Sequence, residues 1–347
     1  MGRSLPFPEW PAADQQMWHA LTRQGGPFDE RGAFAGLRLT SARMYQGPYG
    51  RWLDWLRRVD PAVLTEPPAV RATLARLKMW LDASPGLSLT IRKMYFTGAL
   101  RVLRAADPKR DWSAHLRVER GLERSAGRGD PARKHGRILS GRVLLDAGLR
   151  LAGPEADAAT TPLGRAKAQR DGAMVALLAM MPTIRHRAFS CLTIGQSLLV
   201  DDRALTVVLT EELTKSGVAW EAEVPEPAAT ALRRYVSEAR PFLLSRGSRV
   251  HDALWVCNRG DPMSYSYIGQ KIPDVTGRLT GTQVPPHFFR DAAATTLARE
   301  SPQAALVIAP ILGHARARTS ERHYIQAGSI EVGRDLAKLL KRLKEKA

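Results

Sequence analysis

The chain is short of cysteine, short of acid and free of long apolar runs. Only two of its 347 residues are cysteine, Cys191 and Cys257, far apart and without metal-ligand spacing. No metal site is expected from them, and both are read as lying in apolar surroundings. Such sparse cysteine fits a reducing, cytoplasmic setting. No run of about 18 apolar residues occurs, so no membrane-spanning helix is expected. The opening MGRSLPFPEWPAADQQ lacks the basic-then-apolar order of a signal peptide. The phosphate-cradling pattern GxxxxGK[ST] is absent, and no carboxylate cluster presents itself to magnesium. The sequence therefore calls for no cofactor. Internal repeats are also absent.

What is abundant is positive charge. Lysine and arginine total 52 against 34 aspartate and glutamate, a formal net charge of +18. An excess of that size points to a polyanionic partner, nucleic acid first. A membrane surface fits less well, because the basic residues are spread along the chain. Hydrophobic content is 44%, which suits a globular protein, and the length suggests two domains.

Residues 1–38 read as an irregular segment rich in proline and glycine. SARMYQGPYGRWLDWLRRVD (41–60) reads as a helix with a break at Gly47–Pro48, its apolar face made by Trp52, Leu53, Trp55 and Leu56. Val70, Leu74, Leu77 and Leu81 are spaced for a second helix over 69–83. A third, over 88–107, is opened by Ser88 or Thr90. Together, 39–122 forms a helical domain whose exposed positions are rich in arginine. ERSAGRGDPARKHGR (123–137) reads as a basic linker. Beyond it, 138–330 mixes helices with strands. Two helices flank Pro182, alternating β-branched residues at 192–210 predict strands around an Asp-Asp turn, and TKSG (214–217) turns into another strand. The rest is helical, ending with GRDLAKLLKRLKEK. The fold class is thus mainly α with a small antiparallel β-sheet.

Candidate chemistry begins at PPHFFRDAAATTLA (285–298). Prolines suit a first helical turn, and His287 and Arg290, three apart, share one face at the helix N-terminus. Such an end favours an anion. Alone the HxxR pattern carries little weight. Four further features join it: Arg185 in PTIRHRAFSCLTI, Lys215 in TKSG, His314 in LGHARART and Tyr324 in SERHYIQA.

In this order, Arg–Lys–HxxR–GH–Tyr, the chain resembles the tyrosine recombinase (phage integrase) family. The resemblance covers roughly 135–330 and extends more weakly to the N-terminal helices, which look like the family's core-binding domain. It implies that Tyr324 is the nucleophile, that Arg185 and Arg290 hold the non-bridging oxygens of the scissile phosphate, and that His287 assists proton transfer. It also implies that His314 hydrogen-bonds the phosphate and that Lys215 protonates the leaving 5′-oxygen. Implied partners are double-stranded DNA and three further protomers on it, with a monomer or weak oligomer when free and an accessory DNA-bending or directionality factor. A C-shaped clamp around duplex DNA and association with the nucleoid follow from the same comparison.

The physical chemistry agrees with such roles. Phosphodiester exchange builds negative charge on equatorial oxygens, which two permanently charged guanidinium forks can stabilise. Neighbouring cations favour the phenolate of a tyrosine whose ordinary pKa is about 10. Two positions depart from the family pattern. Ala188 stands three residues after Arg185, where an acid is usual, and Asp291 follows Arg290, where a histidine is usual. His186 and Asp291 are the candidates to compensate. Arg187 competes with Arg185 for its role, and Tyr265 and Tyr267 compete with Tyr324 except that they precede the HxxR helix. Leu336, Leu339, Leu340 and Leu343 line one face of the last helix, 331–347, which packs on its own domain or docks into a neighbouring protomer. A topoisomerase-like or resolvase activity and a non-cleaving DNA-binding relative are the rival readings.

Overall fold

The computed structural model describes residues 4–127, 136–214 and 217–300. The chain divides into two compact units, Met1–Asp130 and Pro131–Ala347.

The N-terminal unit is all helical. α1 (Ala12–Thr22) and α2 (Leu39–Val59) are followed by a 3₁₀ turn, the short α3 (Pro68–Arg71), α4 (Leu74–Asp82), α5 (Leu89–Ala106) and α6 (Ser113–Ala126). Its core is unusually aromatic. Trp10, Trp18, Trp52, Trp55, Trp80 and Trp112 are all buried in one cluster. Trp52 stacks on Trp55 and meets Trp80 edge-on, each at 5.4 Å between ring centroids, geometries that suit the aromatic quadrupole. Helix starts follow the expected chemistry, with Ser88 accepting from Ile91 N and Thr73 from Arg76 N. α2 and α5 approach closely where Gly98 faces Pro48. A Cβ on Gly98 would lie 2.7 Å from Pro48 Cγ.

This unit also buries a charged network. Asp14 on α1 accepts from Tyr49 Oη at 2.5 Å and from Arg71 Nη1 at 2.7 Å. Arg71 gives its remaining nitrogens to Glu66 O and Leu64 O. The Asp14 carboxylate and, above all, burial hold the Tyr49 hydroxyl well above its usual pKa.

The C-terminal unit is built around α8 (Pro162–Met180), which is buried on all sides from Gln169 to Leu178. α7 (Gly141–Arg150) and the π-helical turn after it cross α8 at two glycines. A Cβ on Gly172 would lie 2.4 Å from Ala152 N, and one on Gly148 would lie 2.8 Å from Ala176 N. Only glycine permits that backbone approach. α9 (His186–Ser190) leads to an antiparallel sheet of β1 (Leu198–Val200), β2 (Leu205–Leu209) and β3 (Trp220–Glu223) in the order β1-β2-β3, with Val207 opposite both Leu198 and Ala222. Leu205, Val207 and Leu209 turn into the core. α10 (Ala228–Arg234), a π-helical turn, α11 (Arg240–Leu244), α12 (Tyr265–Thr280) and α13 (Pro286–Glu300) complete the described chain. The architecture is the mainly α fold with a small antiparallel sheet that the sequence predicts. Among the described residues no helix is long and apolar enough to cross a membrane.

Several local expectations are corrected. The segment 1–38 is not irregular, because α1 lies within it and Leu5, Trp10, Trp18, Leu21 and Phe34 enter the core. Asp14, Trp18 and Leu21 form its inward face, and the acid on that face hides the helical period. α2 runs through Gly47–Pro48 without a break. The helix expected over 69–83 is interrupted at Ala72–Thr73, which leaves Val70 and Leu74 exposed while Leu77 and Leu81 stay buried. α6 extends to Ala126, into the segment read as linker. Cys191, expected in apolar surroundings, is exposed. The C-terminal helix read over 331–347 lies outside the described residues.

Candidate active site

α9 is a single short helix whose N-cap residue is Arg185, in extended backbone geometry. The far end of α9 is tied to the core by Trp255, whose Nε1 donates to Phe189 O at 2.9 Å and whose ring stacks on Phe189. The loop ahead of α9 is tied by α13. Arg290 Nη1 donates to Pro182 O at 2.8 Å and Thr183 O at 2.9 Å. The i, i+3 spacing of His287 and Arg290 and their place in the first turns of α13 bring that helix end to the start of α9.

The outcome is a pair of neighbouring guanidiniums. Burial, and then the Arg185 cation, pull the Arg290 pKa down to about 10, with Asp291 opposing. Arg290 stays charged at neutral pH. Two like charges held together in a half-buried place are electrostatically costly in the free protein, and a bound anion relieves that cost. Arg187 is exposed whereas Arg185 is half-buried, and it is Arg185 that Arg290 senses. Ala188, at the position of the usual acid, is 1% exposed and packed in the apolar core. Asp291 is the acid felt by Arg290.

His287 is exposed at the head of α13 and its charge is felt by His186. The structure thus brings Arg185, Arg290, His186 and His287 to one place. Lys215 falls in chain order between β2 and β3. Lys215, His314 and Tyr324 lie outside the described residues. Tyr265 and Tyr267 sit in the first turn of α12, and the Tyr265 ring stacks on His186 at 4.0 Å.

A second group of charges in this unit is buried and self-contained. Arg170 donates to Asp171 Oδ1, Val256 O and Asn258 Oδ1, while Lys271 Nζ lies 3.0 Å from Asp171 Oδ2. It links α8 to α12. Sequence reading passed over it because Arg170 and Asp171 fall in a stretch that otherwise reads as an ordinary helix.

Residues 157–329 match the model of the phage integrase family. The chain belongs to that family, the tyrosine recombinases. Their shared trade is the cleaving and rejoining of DNA strands. Among solved structures, the chain resembles the XerH site-specific recombinase bound to a palindromic difH substrate in a post-cleavage complex. Identity there is 15% and the TM-score 0.57, over 86% of this chain and 80% of that one. A pre-cleavage complex of XerH with difH gives 16% and 0.55, over 83% and 77%. At such identity these likenesses establish the fold of this family member. A comparison with the curated proteins finds no match.

Proposed function

We propose that this chain is a site-specific DNA recombinase that cleaves and rejoins duplex DNA through a covalent phosphotyrosyl bond at Tyr324. The observation that carries the proposal is that Arg290, three residues after His287 on α13, reaches the loop just ahead of Arg185 through Pro182 O and Thr183 O in a phage integrase domain. A scissile phosphate bridging the two guanidiniums has its non-bridging oxygens held by forked donors. The Tyr324 oxygen attacks phosphorus, the bond from phosphorus to the 5′-oxygen of the next nucleotide breaks, and Lys215 gives that oxygen its proton. His287 takes the proton that the Tyr324 hydroxyl gives up, and with His314 it hydrogen-bonds the phosphate. The new ester conserves the energy of the bond it replaces, so rejoining is the same step run backwards and needs no ATP.

The XerH complexes support this reading, since each holds DNA on the same fold. The excess of basic residues supplies phosphate contacts, so affinity for duplex DNA falls steeply with added salt. Strand exchange takes four protomers on two sites, and the helix over 331–347 docks between them.

The test is to purify the tagged chain from its host under denaturing conditions and sequence any DNA that remains attached. The wild type carries DNA with a defined end, and Tyr324→Phe carries none while still binding duplex DNA. A nicked duplex of the recovered sequence then gives an adduct in vitro that persists in EDTA. Adducts on Tyr324→Phe, or a strict need for magnesium, contradict the proposal.

A further inference from the structure

His186 is the group at this site that the proposed chemistry leaves without a task. Its ring lies nearly parallel to Tyr265, 4.0 Å between centroids and 25° between planes. On another side it meets α12 again, because a Cβ on Gly269 would lie 2.9 Å from His186 Cε1 and 3.6 Å from Nε2. Tyr265 and Gly269 are one helical turn apart, so the imidazole is wedged against a single face of α12. Nε2 is buried and makes no hydrogen bond. Burial, and then the neighbouring His287, lower the pKa of the ring, with a hydrogen bond to the Tyr265 backbone opposing. It therefore sits at this site as a neutral, packed ring.

His186 is the first residue of α9 and Arg185 is its N-cap. α9 is too short to hold its own direction. Arg290 ties the loop on one side through Pro182 O and Thr183 O, and Trp255 ties the far end at Phe189. Between these ties the Arg185 carbonyl accepts from Phe189 N at 2.8 Å, and the adjoining His186 ring adds the contact with α12. The acid that would orient the arginine from within α9 is replaced by Ala188, a buried methyl with nothing to donate or accept.

We infer that the stacked pair His186–Tyr265, seated on Gly269, is the positioning device that sets Arg185 for phosphate in this chain. It takes up the orienting task that the residue at 188 cannot perform. The inference rests on the reading of Arg185 and Arg290 as a phosphate site. His186 and Tyr265 are positioning residues, acting through the backbone of Arg185 and not on the substrate. The ring face of Tyr265 matters and its hydroxyl does not.

The test uses the full chain and inorganic phosphate, with binding followed by NMR of the imidazole and guanidinium signals. Tyr265→Ala and, independently, Gly269→Ala are expected to weaken phosphate binding about fivefold or more, while Tyr265→Phe stays within about twofold of the wild type. Thermal melts of the three variants remain cooperative, and the His186 signals move in the two alanine variants alone. Arg185→Ala serves as the reference and loses binding. If Arg185→Ala loses binding but both alanine variants keep it, the positioning role is wrong and the phosphate site stands. If Tyr265→Phe weakens binding as much as Tyr265→Ala, the hydroxyl and not the stack is responsible, and the inference is overturned. If Arg185→Ala binds phosphate as the wild type does, the phosphate site itself is wrong and the positioning role falls with it.

Discussion

In the N-terminal unit Arg71 and Asp14 are fully buried, 2.7 Å apart, with every nitrogen and oxygen of the two side chains engaged. In the C-terminal unit Arg185 and Arg290 are half-buried, alike in charge and close enough that one depresses the pKa of the other. The first arrangement has no use for a ligand, because its charges cancel and its hydrogen bonds are complete. The second is eased by an anion. Burial of arginine therefore does not by itself mark a site. What separates the two arrangements here is that Arg71 is ion-paired with a buried acid whereas Arg290 feels a second arginine as well as Asp291. Arg170 and Asp171, joined by Lys271, repeat the first arrangement inside the C-terminal unit.

The comparison breaks first, and most visibly, on Arg71. Arg71→Ala leaves the Asp14 carboxylate buried without its partner and is expected to cost about 3–5 kcal/mol. Urea unfolding of the full chain, followed by tryptophan fluorescence, reads this directly because the buried tryptophan cluster lies in that unit. A loss under about 1 kcal/mol would mean the pair is not structural. Next is Lys271→Met. It removes one of two cations from Asp171 but leaves Arg170, so the expected cost is lower, about 1–3 kcal/mol in urea unfolding followed by far-UV circular dichroism.

The smallest effect is the pH dependence set by His186. Its folded-state pKa lies below the ordinary 6.5. Between those two values the unfolded chain holds a proton that the folded chain does not, so stability rises with pH across that window. The contribution is present above about pH 6.5 and is lost as pH falls toward the folded value. Thermal melts at about pH 7.5 and about pH 5.5 should therefore differ more for the wild type than for His186→Asn. An equal difference in both would show that the ring is not held neutral.

How much of this was legible in the sequence depends on whether the signal is local. The start of α13 could be read from the prolines before His287, which open it. The sheet showed in the alternation of Leu205, Val207 and Leu209. α1 was missed because Asp14, a charge, occupies the face that periodicity expects to be apolar, and its reason for being there is Arg71, 57 residues away. The break at Ala72–Thr73 was hidden by leucines at helical spacing on both sides. At the site, Arg185, His287 and Arg290 stood out only through their order along the chain. The tie from Arg290 to Pro182 and Thr183 spans more than 100 residues and left no pattern. His186 carried no signal beyond its place beside Arg185, since Tyr265 and Gly269 reach it from a distant helix. Lys215, His314 and Tyr324 lie outside the described residues, so their part in the account rests on family order.

The most direct test of the account is Arg290→Ala, assayed for adduct formation in a single turnover on a nicked duplex of the recovered sequence. If the arginine pair exists to take a phosphate, adduct formation falls about 10²–10³-fold, while the urea midpoint moves far less than it does in Arg71→Ala. An adduct formed at the wild-type rate, or a loss of stability matching that of Arg71→Ala, would contradict it.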